Sequence, residues 1–440
     1  MANFSASVTT EPSGLVRNIG TVALTATFLG VFIGSGIFTL PAPMAAAVGG
    51  FAPLAYLGCA LAVGSVLMCF AEACSRVPVA GGPQGFVEAA FGPYWGFLTG
   101  AFNWVSAVLG VAGVAAAAAD ALGTVLPALA HGPVRSIALV GWFAALAIVN
   151  LRGVSFAARF VALVTSIKLI PLALFIGVGI WFIAPANLVL PLVAGGSDGD
   201  IGRAAILGIF MFTGVETSLA ISGEVSNPAR TIPRAVIAAL LVYASLCITV
   251  QIVAQGLLGT ALAGAVAPLP QAMAQVSAPL GAIVAAGAVI SMLGYTASDS
   301  IGSPRMLFAM ARDGFLPGAL GRVHPRSRTP WVASFTHAGL CAGLALSGSF
   351  TALAIVATLT CVMVYFIGCA AALRLRARNI ATAGTPARIP GLAVFACIGI
   401  GSMLWVTAQS TLAEATGIAV FTLIASLVYR WRRPPAATGR

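Results

Sequence analysis

The chain has 440 residues, of which 60% are hydrophobic and 8% are charged, and its formal net charge is +11. This composition excludes an ordinary soluble globular protein, in which about a quarter of the residues are charged. The positive charge does not indicate a nucleic-acid partner, because the cationic residues lie between long apolar runs instead of forming one basic patch. We therefore predict an all-α membrane protein whose surroundings are a lipid bilayer.

Long apolar runs recur from Gly20 to Tyr429, and each can cross a hydrocarbon core of about 30 Å as a helix. We predict about twelve transmembrane helices and no soluble domain. Their approximate ranges are 20–45, 51–71, 94–125, 134–151, 157–184, 201–222, 233–258, 279–303, 330–347, 351–373, 390–410 and 412–430. The loop after the second span is predicted to contain a short helix, GFVEAAFG, and Glu72 and Glu88 are expected to be charges of the cytoplasmic face.

The arginines are distributed unequally between the two sides of these helices. With an even number of spans both termini lie on one side, and assigning that side to the cytoplasm leaves Arg135 and Arg203 as the only arginines outside. Loops with an excess of Lys and Arg remain in the cytoplasm. The sequence therefore predicts a multi-pass protein of the cell inner (cytoplasmic) membrane with both termini in the cytoplasm.

Two predicted spans are interrupted by small residues. The first contains Gly34–Gly36 within GVFIGSGIFTLPA, and the sixth contains Thr213 and Gly214 within IFMFTGVE. The two interruptions occupy corresponding places in two halves of five spans each. Paired breaks of this kind are typical of secondary transporters built from inverted repeats, in which broken helices meet near the membrane midplane.

A broken helix inside a bilayer indicates a partner for its free backbone groups, because an unpaired N–H or C=O group there is costly. Free N–H groups at Gly34–Gly36 suit an anion, and free carbonyls such as those of Phe32 and Phe210 suit an ammonium group. An amino acid carries both groups. The alternative is that these small residues only allow close helix packing; two breaks in matching positions favour the binding site.

Several motifs together are similar to the amino acid–polyamine–organocation (APC) superfamily of transporters over nearly the whole chain. They are IGSGIFTLPA (33–42), PVAGGPQGFVEAAFGPYWGFLTG (78–100), SIKLIPLALFI (166–176), FTGVETSLAISGEVSNPARTIPRAV (212–236) and SPRMLFAMARDGFLP (303–317). The resemblance implies a LeuT-like fold of two inverted five-helix repeats, with helices 1 and 6 broken and two extra C-terminal helices. It also implies alternating access around a central amino-acid site.

This resemblance divides the chain into five parts. They are a cytoplasmic N-terminal tail (1–19), a first five-helix repeat (20–184), a second five-helix repeat (185–373), helices 11 and 12 (374–430) and a cytoplasmic tail (431–440).

The resemblance also implies roles for residues at the two breaks. Ser35 and Gly36 match positions that hold the substrate carboxylate, and the carbonyls near Phe32, Phe210 and Thr213 match those that take the α-amino group. Phe210 also matches an aromatic gate over the substrate. The full set of candidate substrate-binding residues is Phe32, Gly34, Ser35, Gly36, Phe210, Thr213, Gly214 and Tyr295.

Three ionisable residues lie inside predicted spans, where charge is costly and usually functional. The resemblance implies that Lys168 replaces a sodium ion and bridges the first and eighth spans. We hypothesise that Lys168 and Asp299 form a buried pair whose protonation is tied to transport; alternatively, Asp299 pairs only structurally or faces pore water. Glu216 is expected to stabilise the sixth helix through free backbone donors. His337 is expected to be a packing histidine.

The third span bears on the substrate. Residues 103–120 are mostly small and apolar apart from Asn103 and Ser106, so a cationic side chain would find few partners there. We therefore expect a neutral amino acid of small to medium size, with Tyr295 or Thr296 limiting the pocket. A cationic amino acid or polyamine antiporter and an amino acid exporter are the alternatives.

The predicted function is sodium-independent secondary transport of amino acids, by proton coupling or by exchange. An enzyme is not expected, because HExxH and Cys/His metal spacings are missing from the sequence. No cofactor and no metal are expected for the same reason. A transport-inactive amino acid sensor is the competing class, a channel is disfavoured because no span shows a polar stripe, and a homodimer stays open.

Overall fold

A computed structural model of the chain describes residues 19–78, 82–123, 126–151, 168–188, 198–219, 222, 225–327, 329–382 and 385–432. Within these residues the regular structure is helical, and the extended contact present is a parallel bridge between Ile19 and Val225. Residues 1–18 and 433–440 of the predicted tails, and residues 157–167 of the predicted fifth span, lie outside the described residues.

The first half of the chain contains two short helices after a first apolar helix, and then longer ones. The helices are Thr21–Phe32 (α1), Gly36–Thr39 (α2), Pro41–Val48 (α3), Ala52–Arg76 (α4), Pro83–Phe91 (α5), Pro93–Gly123 (α6), Pro133–Leu151 (α7) and Leu169–Gly179 (α8). The short helix predicted from GFVEAAFG is confirmed by α5. Proline stands in the first turn of α3, α4 and α5, where its missing N–H group costs no helical hydrogen bond.

The second half repeats the pattern of an interrupted helix followed by long ones. The helices are Asp198–Phe210 (α9), Val215–Ser218 (α10), Pro228–Leu258 (α11), Pro268–Val276 (α12), Ala278–Arg312 (α13), Trp331–Ser347 (α14), Phe350–Ala377 (α15), Leu392–Ala408 (α16) and Leu412–Trp431 (α17). Several elements differ from the sequence prediction, for example α12 and the end of α13. The helix α12 was not predicted, because its prolines and glutamines resemble a loop, and α13 extends past the apolar run because helical hydrogen bonds do not depend on hydropathy.

Many of these helices have the length and composition of membrane spans. Within the described ranges, seven segments are long and apolar enough to cross a bilayer: Pro41–Arg76, Pro93–Gly123, Pro133–Leu151, Pro228–Gly264, Ala278–Arg312, Phe350–Ala377 and Leu412–Trp431. The same part of the chain has four shorter apolar segments: Thr21–Phe32, Leu169–Phe182, Trp331–Ser347 and Leu392–Ala408. The chain is therefore a multi-pass helical membrane protein.

The helix α6 lies at the centre of the packing and contacts α5, α13, α14 and α15. A second layer forms where α4 packs along α11, α16 and α15. Glycines allow these close approaches: a β-carbon at Gly64 on α4 would lie 2.5 Å from Leu240 Cδ2 on α11. The pieces of the two interrupted helices lie inside this frame, since α1 packs on α11 and α9 packs on α3, α4 and α15.

A buried charge network joins the end of α4 to α15 and to the segment before α16. Glu72 is completely buried, and it accepts hydrogen bonds from Arg76 Nε at 3.0 Å, Arg376 Nε at 2.8 Å and the Ile389 N–H group at 2.9 Å. Glu72 is therefore a partnered interior charge and not a solvated one, whereas Glu88 on α5 is exposed.

Replacing Glu72 with Gln is expected to lower the free energy of unfolding by about 3–5 kcal/mol, because it leaves the buried Arg76 without its anionic partner. The measurement is the temperature at which the purified protein in detergent loses its monodisperse gel-filtration peak. Glu88→Gln removes an exposed carboxylate and is the matched control, with an expected change below about 0.5 kcal/mol. Equal melting temperatures for Glu72→Gln and the parent would contradict the network.

Candidate functional site

The first helix break leaves polar groups without partners. The helix α1 ends at Phe32 and α2 begins at Gly36, and between them the Gly34 N–H group donates to the Phe32 carbonyl at 2.8 Å. The N–H groups of Ser35 and Ile37 donate to no other described residue. The Ser35 hydroxyl is also buried and has no hydrogen-bond partner in the described part of the chain. Several hydrogen-bond donors without partners are therefore grouped together at this break.

The second break is held by its own side chains. The helix α9 ends at Phe210, whose carbonyl accepts from the Thr213 N–H group at 3.2 Å and from Thr213 Oγ1 at 2.8 Å. Gly214 has a φ of +102°, which favours glycine, and α10 begins at Val215. Both carboxylate oxygens of Glu216 lie 2.9 Å from the Gly214 N–H group. The carboxylate thus binds a backbone donor released by the break.

Glu216 also ties this break to α15. The side chain is buried, and it accepts hydrogen bonds from the Tyr365 hydroxyl at 2.9 Å and from Cys361 Sγ at 3.3 Å. These two partners were missed in the sequence, where Tyr365 and Cys361 stand in an apolar run. Their spacing of one helical turn places them on one face of α15, and this was the available signal.

The two breaks lie side by side. A β-carbon at Gly36 would lie 3.0 Å from Met211 Cγ, and one at Gly214 would lie 2.7 Å from Val31 Cγ1. The backbones approach closely at these points because glycine has no side chain. The free donors of the first break and the carbonyls of the second therefore border one region.

Aromatic rings close this region. The Tyr295 ring lies against Gly34, where a β-carbon would be 3.2 Å from Cδ2. Gly110 of α6 faces Phe210 and the Tyr295 hydroxyl, and the ring centroids of Phe210 and Phe350 are 5.8 Å apart in an edge-to-face contact. Gly110 and Phe350 were not among the sequence candidates, since nothing in their local sequence distinguishes them.

Lys168 bonds to the first broken helix. It precedes α8, is buried, and its ammonium group donates to the Gly30 carbonyl near the end of α1. The predicted direct pair of Lys168 with Asp299 is wrong, since no ion pair joins the two among the described residues. The physical reason is that the ammonium is bonded to a carbonyl of α1, whereas Asp299 has partners on α13 and α14.

Asp299 contacts a histidine that was expected only to pack. Ser303 Oγ donates to Asp299 Oδ1 at 2.6 Å, and His337 Nε2 lies 3.1 Å from Asp299 Oδ2. His337 Nδ1 is buried and has no hydrogen-bond partner within the described ranges. His337 is thus one member of a buried acid–imidazole pair between α13 and α14, and the packing interpretation was incomplete.

The described residues contain no group of three or more His, Cys, Asp or Glu side chains that could hold a metal ion. The groups at the two breaks are backbone N–H and C=O groups, the hydroxyls of Ser35 and Thr213, the Glu216 carboxylate and aromatic rings. Such groups bind a small zwitterion through hydrogen bonds and enclose its side chain by contact.

Comparison with known proteins identifies the family. The amino acid permease family model matches residues 19–434. The branched-chain amino acid permease BcaP of Bacillus subtilis is 29% identical over 91% of this chain and 90% of its own length. The serine/threonine exchanger SteT of the same organism is 28% identical over 74% of this chain and 75% of its own length, and its methylthioribose transporter is 29% identical over 96% and 95%. The chain therefore belongs to the amino acid permease family.

Gly214→Ala is expected to lower the free energy of unfolding by about 1–3 kcal/mol, because φ is +102° and the new β-carbon would meet Val31. Thermal denaturation in detergent measures the change. Gly177→Ala is the matched control: this glycine of α8 has open space around it, so alanine there is expected to be neutral or to stabilise by up to about 1 kcal/mol. Equal melting temperatures for both variants would contradict the strained break.

Proposed function

We propose that this amino acid permease is a secondary active transporter that carries neutral amino acids of small to medium size across the cytoplasmic membrane by alternating access. The pair of adjacent helix breaks, with free backbone donors and an unpartnered hydroxyl, is the observation that supports it. The competing class is a transport-inactive amino acid sensor, which would bind the same ligand at the same site without moving it across the membrane.

In this proposal the substrate carboxylate lies at Ser35 and Gly36, and it accepts hydrogen bonds from the Ser35 N–H group, the Ser35 hydroxyl and the neighbouring Ile37 N–H group. These donors have no other partner among the described residues. The α-ammonium group binds the carbonyls of Phe32 and Phe210. Each of these carbonyls already accepts within its own break, from Gly34 and from Thr213, but a carbonyl oxygen has a second lone pair.

We further propose about twelve spans in a LeuT-like arrangement of two inverted repeats. The first repeat is 20–184, the second is 185–373, and two further helices occupy 374–430. The breaks between α1 and α2 and between α9 and α10 support this division, because each lies in the first helix of its half. The distribution of arginines supports cytoplasmic tails at 1–19 and 431–440.

Alternating access requires that the site be covered in turn from each side. Phe210 is only 8% exposed and, with Tyr295, lies over the breaks next to Gly110. We propose that these two rings form the cover on one side. Rotation of their side chains, together with movement of α9, would open the site without exposing the Phe32 side, where Phe32 stacks on Tyr243 at 4.8 Å.

A neutral substrate side chain is favoured by the surroundings of the breaks. Residues 103–119 of α6 carry no charged side chain, and Gly110 leaves space beside Phe210. The acid nearest in sequence to the second break is Glu216, and both its oxygens already accept hydrogen bonds. A cationic amino acid or polyamine would therefore lack a partner for its second charge.

The relatives support this substrate class without narrowing it to one compound. Two of them are named for branched-chain amino acids and for serine and threonine, all of which are neutral. A third is named for methylthioribose, and its match covers 96% of this chain. A neutral thiosugar is therefore the second candidate substrate. Import, export and exchange all fit the same architecture.

Lys168 supports sodium independence in this proposal. Its ammonium group is buried and bonded to the Gly30 carbonyl of α1, so it supplies a positive charge beside the first break. A bound sodium ion would supply the same charge to the same kind of oxygen ligand. Coupling would then come from protons or from exchange, with Lys168, Asp299 and Glu216 as the candidate coupling residues.

The test is counterflow into proteoliposomes that contain the purified protein and unlabelled substrate. Labelled leucine, serine, alanine and methionine are expected to accumulate, whereas arginine and putrescine are not. Isopentylamine and 4-methylpentanoate, which lack the carboxylate and the amino group of leucine, are expected to compete at least about tenfold more weakly than leucine, because each leaves polar groups of the site unpaired.

Two further arms make this test decisive. Replacing sodium chloride with choline chloride is expected to leave the rate unchanged, and a rate that requires sodium would contradict the role given to Lys168. Methylthioribose is included in the panel, and counterflow of methylthioribose alone would replace amino acids with the second candidate. No counterflow for any compound, with leucine still bound, would favour the sensor.

Ser35→Ala is expected to raise the half-saturation concentration of the best counterflow substrate by about 3–10-fold, since one net hydrogen bond contributes roughly 1 kcal/mol. The measurement is the concentration dependence of counterflow. Ser65→Ala is the matched control, because Ser65 is also buried but lies within α4 and donates to the Leu61 carbonyl at 2.8 Å. An unchanged half-saturation in Ser35→Ala would remove Ser35 from the site.

A further inference from the structure

The acid–imidazole pair lies outside the two breaks. Asp299 on α13 and His337 on α14 have side chains that are 12% and 3% exposed, and 3.1 Å separates Oδ2 from Nε2. The second carboxylate oxygen accepts from Ser303, one helical turn further along α13. Ionisable side chains buried at membrane depth are rare and usually functional. Substrate binding at the breaks does not require this pair.

A small, mostly apolar cavity borders the His337 side of the pair. It lies between α7, α13 and α14 and has a cavity volume of about 10 Å³, close to the lower limit for one water molecule. His337 lines it together with Asn150, Ser300 and Ser334. The amide of Asn150 donates to the Ser300 carbonyl at 2.7 Å, which fixes one wall.

A second cavity adjoins the first through shared lining residues. Its volume is also about 10 Å³, and it shares Asn150, Ser300 and Ser334 with the inner cavity. Its other lining residues include Arg305 and Thr329, which lie towards the end of α13 and before the start of α14. The proposed topology places that end in the cytoplasm. A chain of polar groups thus leads from the cytoplasmic end of these helices to His337.

We propose that Asp299 and His337 together form a proton-binding site of the transport cycle, connected to the cytoplasm by these two cavities. The inference rests on the proposed transport function and deepens it. A proton from cytoplasmic water binds at the unpartnered Nδ1 of neutral His337, whose Nε2 faces Asp299, and the resulting imidazolium lies beside the carboxylate. The pair then carries no net charge, whereas loss of the proton leaves one negative charge in buried surroundings.

The neighbouring helices carry few charged or titratable groups that could pair with Asp299 or His337 in place of each other. Among the described residues, the titratable or charged side chains on the elements packed against the pair are Tyr295, Arg305 and Arg312 on α13, Cys341 on α14, Lys168 before α8, Tyr94 and Asp120 on α6, and Arg135 on α7. Cys341 Sγ is 3.5 Å from His337 Nε2 and shares its face of α14. Asp120 and Arg135 bind each other, and Lys168 is bonded to Gly30, so neither arrangement neutralises Asp299.

The test measures proton movement and substrate movement in the same proteoliposomes. Vesicles loaded with the pH dye pyranine receive external leucine or serine, and acidification of the lumen reports proton entry. His337→Gln and Asp299→Asn are each expected to reduce substrate-dependent acidification by at least about tenfold, within the usual range for coupling between two sites. Both variants are expected to keep leucine or serine counterflow within about threefold of the parent, because exchange requires no net proton transfer.

The matched control is His131→Gln, which removes an exposed histidine between α6 and α7 and is expected to behave as the parent does. Parent-like acidification in both His337→Gln and Asp299→Asn would overturn the proton site and leave amino acid transport intact. Counterflow by the parent without any acidification would also overturn it. If the parent shows no counterflow at all, the proposed transport function is contradicted, and this result differs from one that contradicts the proton site alone.

A second measurement covers the case in which the variants do not fold. The chain has three histidines, so ¹⁵N-histidine NMR of the parent gives few signals, and His131→Gln and His324→Gln assign that of His337 by elimination. Acidifying the buffer is expected to move the His337 signal from that of a neutral imidazole to that of an imidazolium. A His337 signal that does not respond to acidification would overturn the inference.

Discussion

A backbone N–H or C=O group within a lipid bilayer needs a hydrogen-bond partner, and this constraint governs the arrangement of the whole chain. Unbroken helices such as α6 and α15 satisfy it internally. The helices α1 and α9 end at Phe32 and Phe210, and the groups released there are only partly satisfied by neighbours. Glu216 binds one N–H group of the second break. The donors that are left at Ser35 are the basis of the proposed substrate site.

Charged side chains lie at the joints between segments. Lys168, directly before α8, bonds to α1, Glu216 connects α10 to α15, and Asp299 on α13 lies 3.1 Å from His337 on α14. The first two connections are hydrogen bonds, and the third is a close approach of a carboxylate and an imidazole. Contacts of this kind can be exchanged at a modest cost, whereas the apolar packing of α4 with α11 is distributed over many side chains.

Local features of the sequence were predictable, and partners across helices were not. The breaks at Gly34–Gly36 and at Gly214 follow from small residues within apolar runs, and the structure has both breaks. The partner of Asp299 was assigned to Lys168 because both stand inside spans. Periodicity identifies the side of a helix on which a residue lies, but it does not identify the neighbouring helix. His337 therefore replaced Lys168 only once α13 and α14 were seen to pack together.

From the sequence by itself follow the all-α membrane class, the positions of the two breaks and the membership of a transporter family, because hydropathy, glycine placement and motifs are properties of short stretches of chain. Only the tertiary structure decided that the breaks lie side by side, that Gly110 and Phe350 border them, and that Glu72 is buried among arginines. These facts depend on which helices pack together. That packing depends on the combined shape of many side chains distant in the sequence.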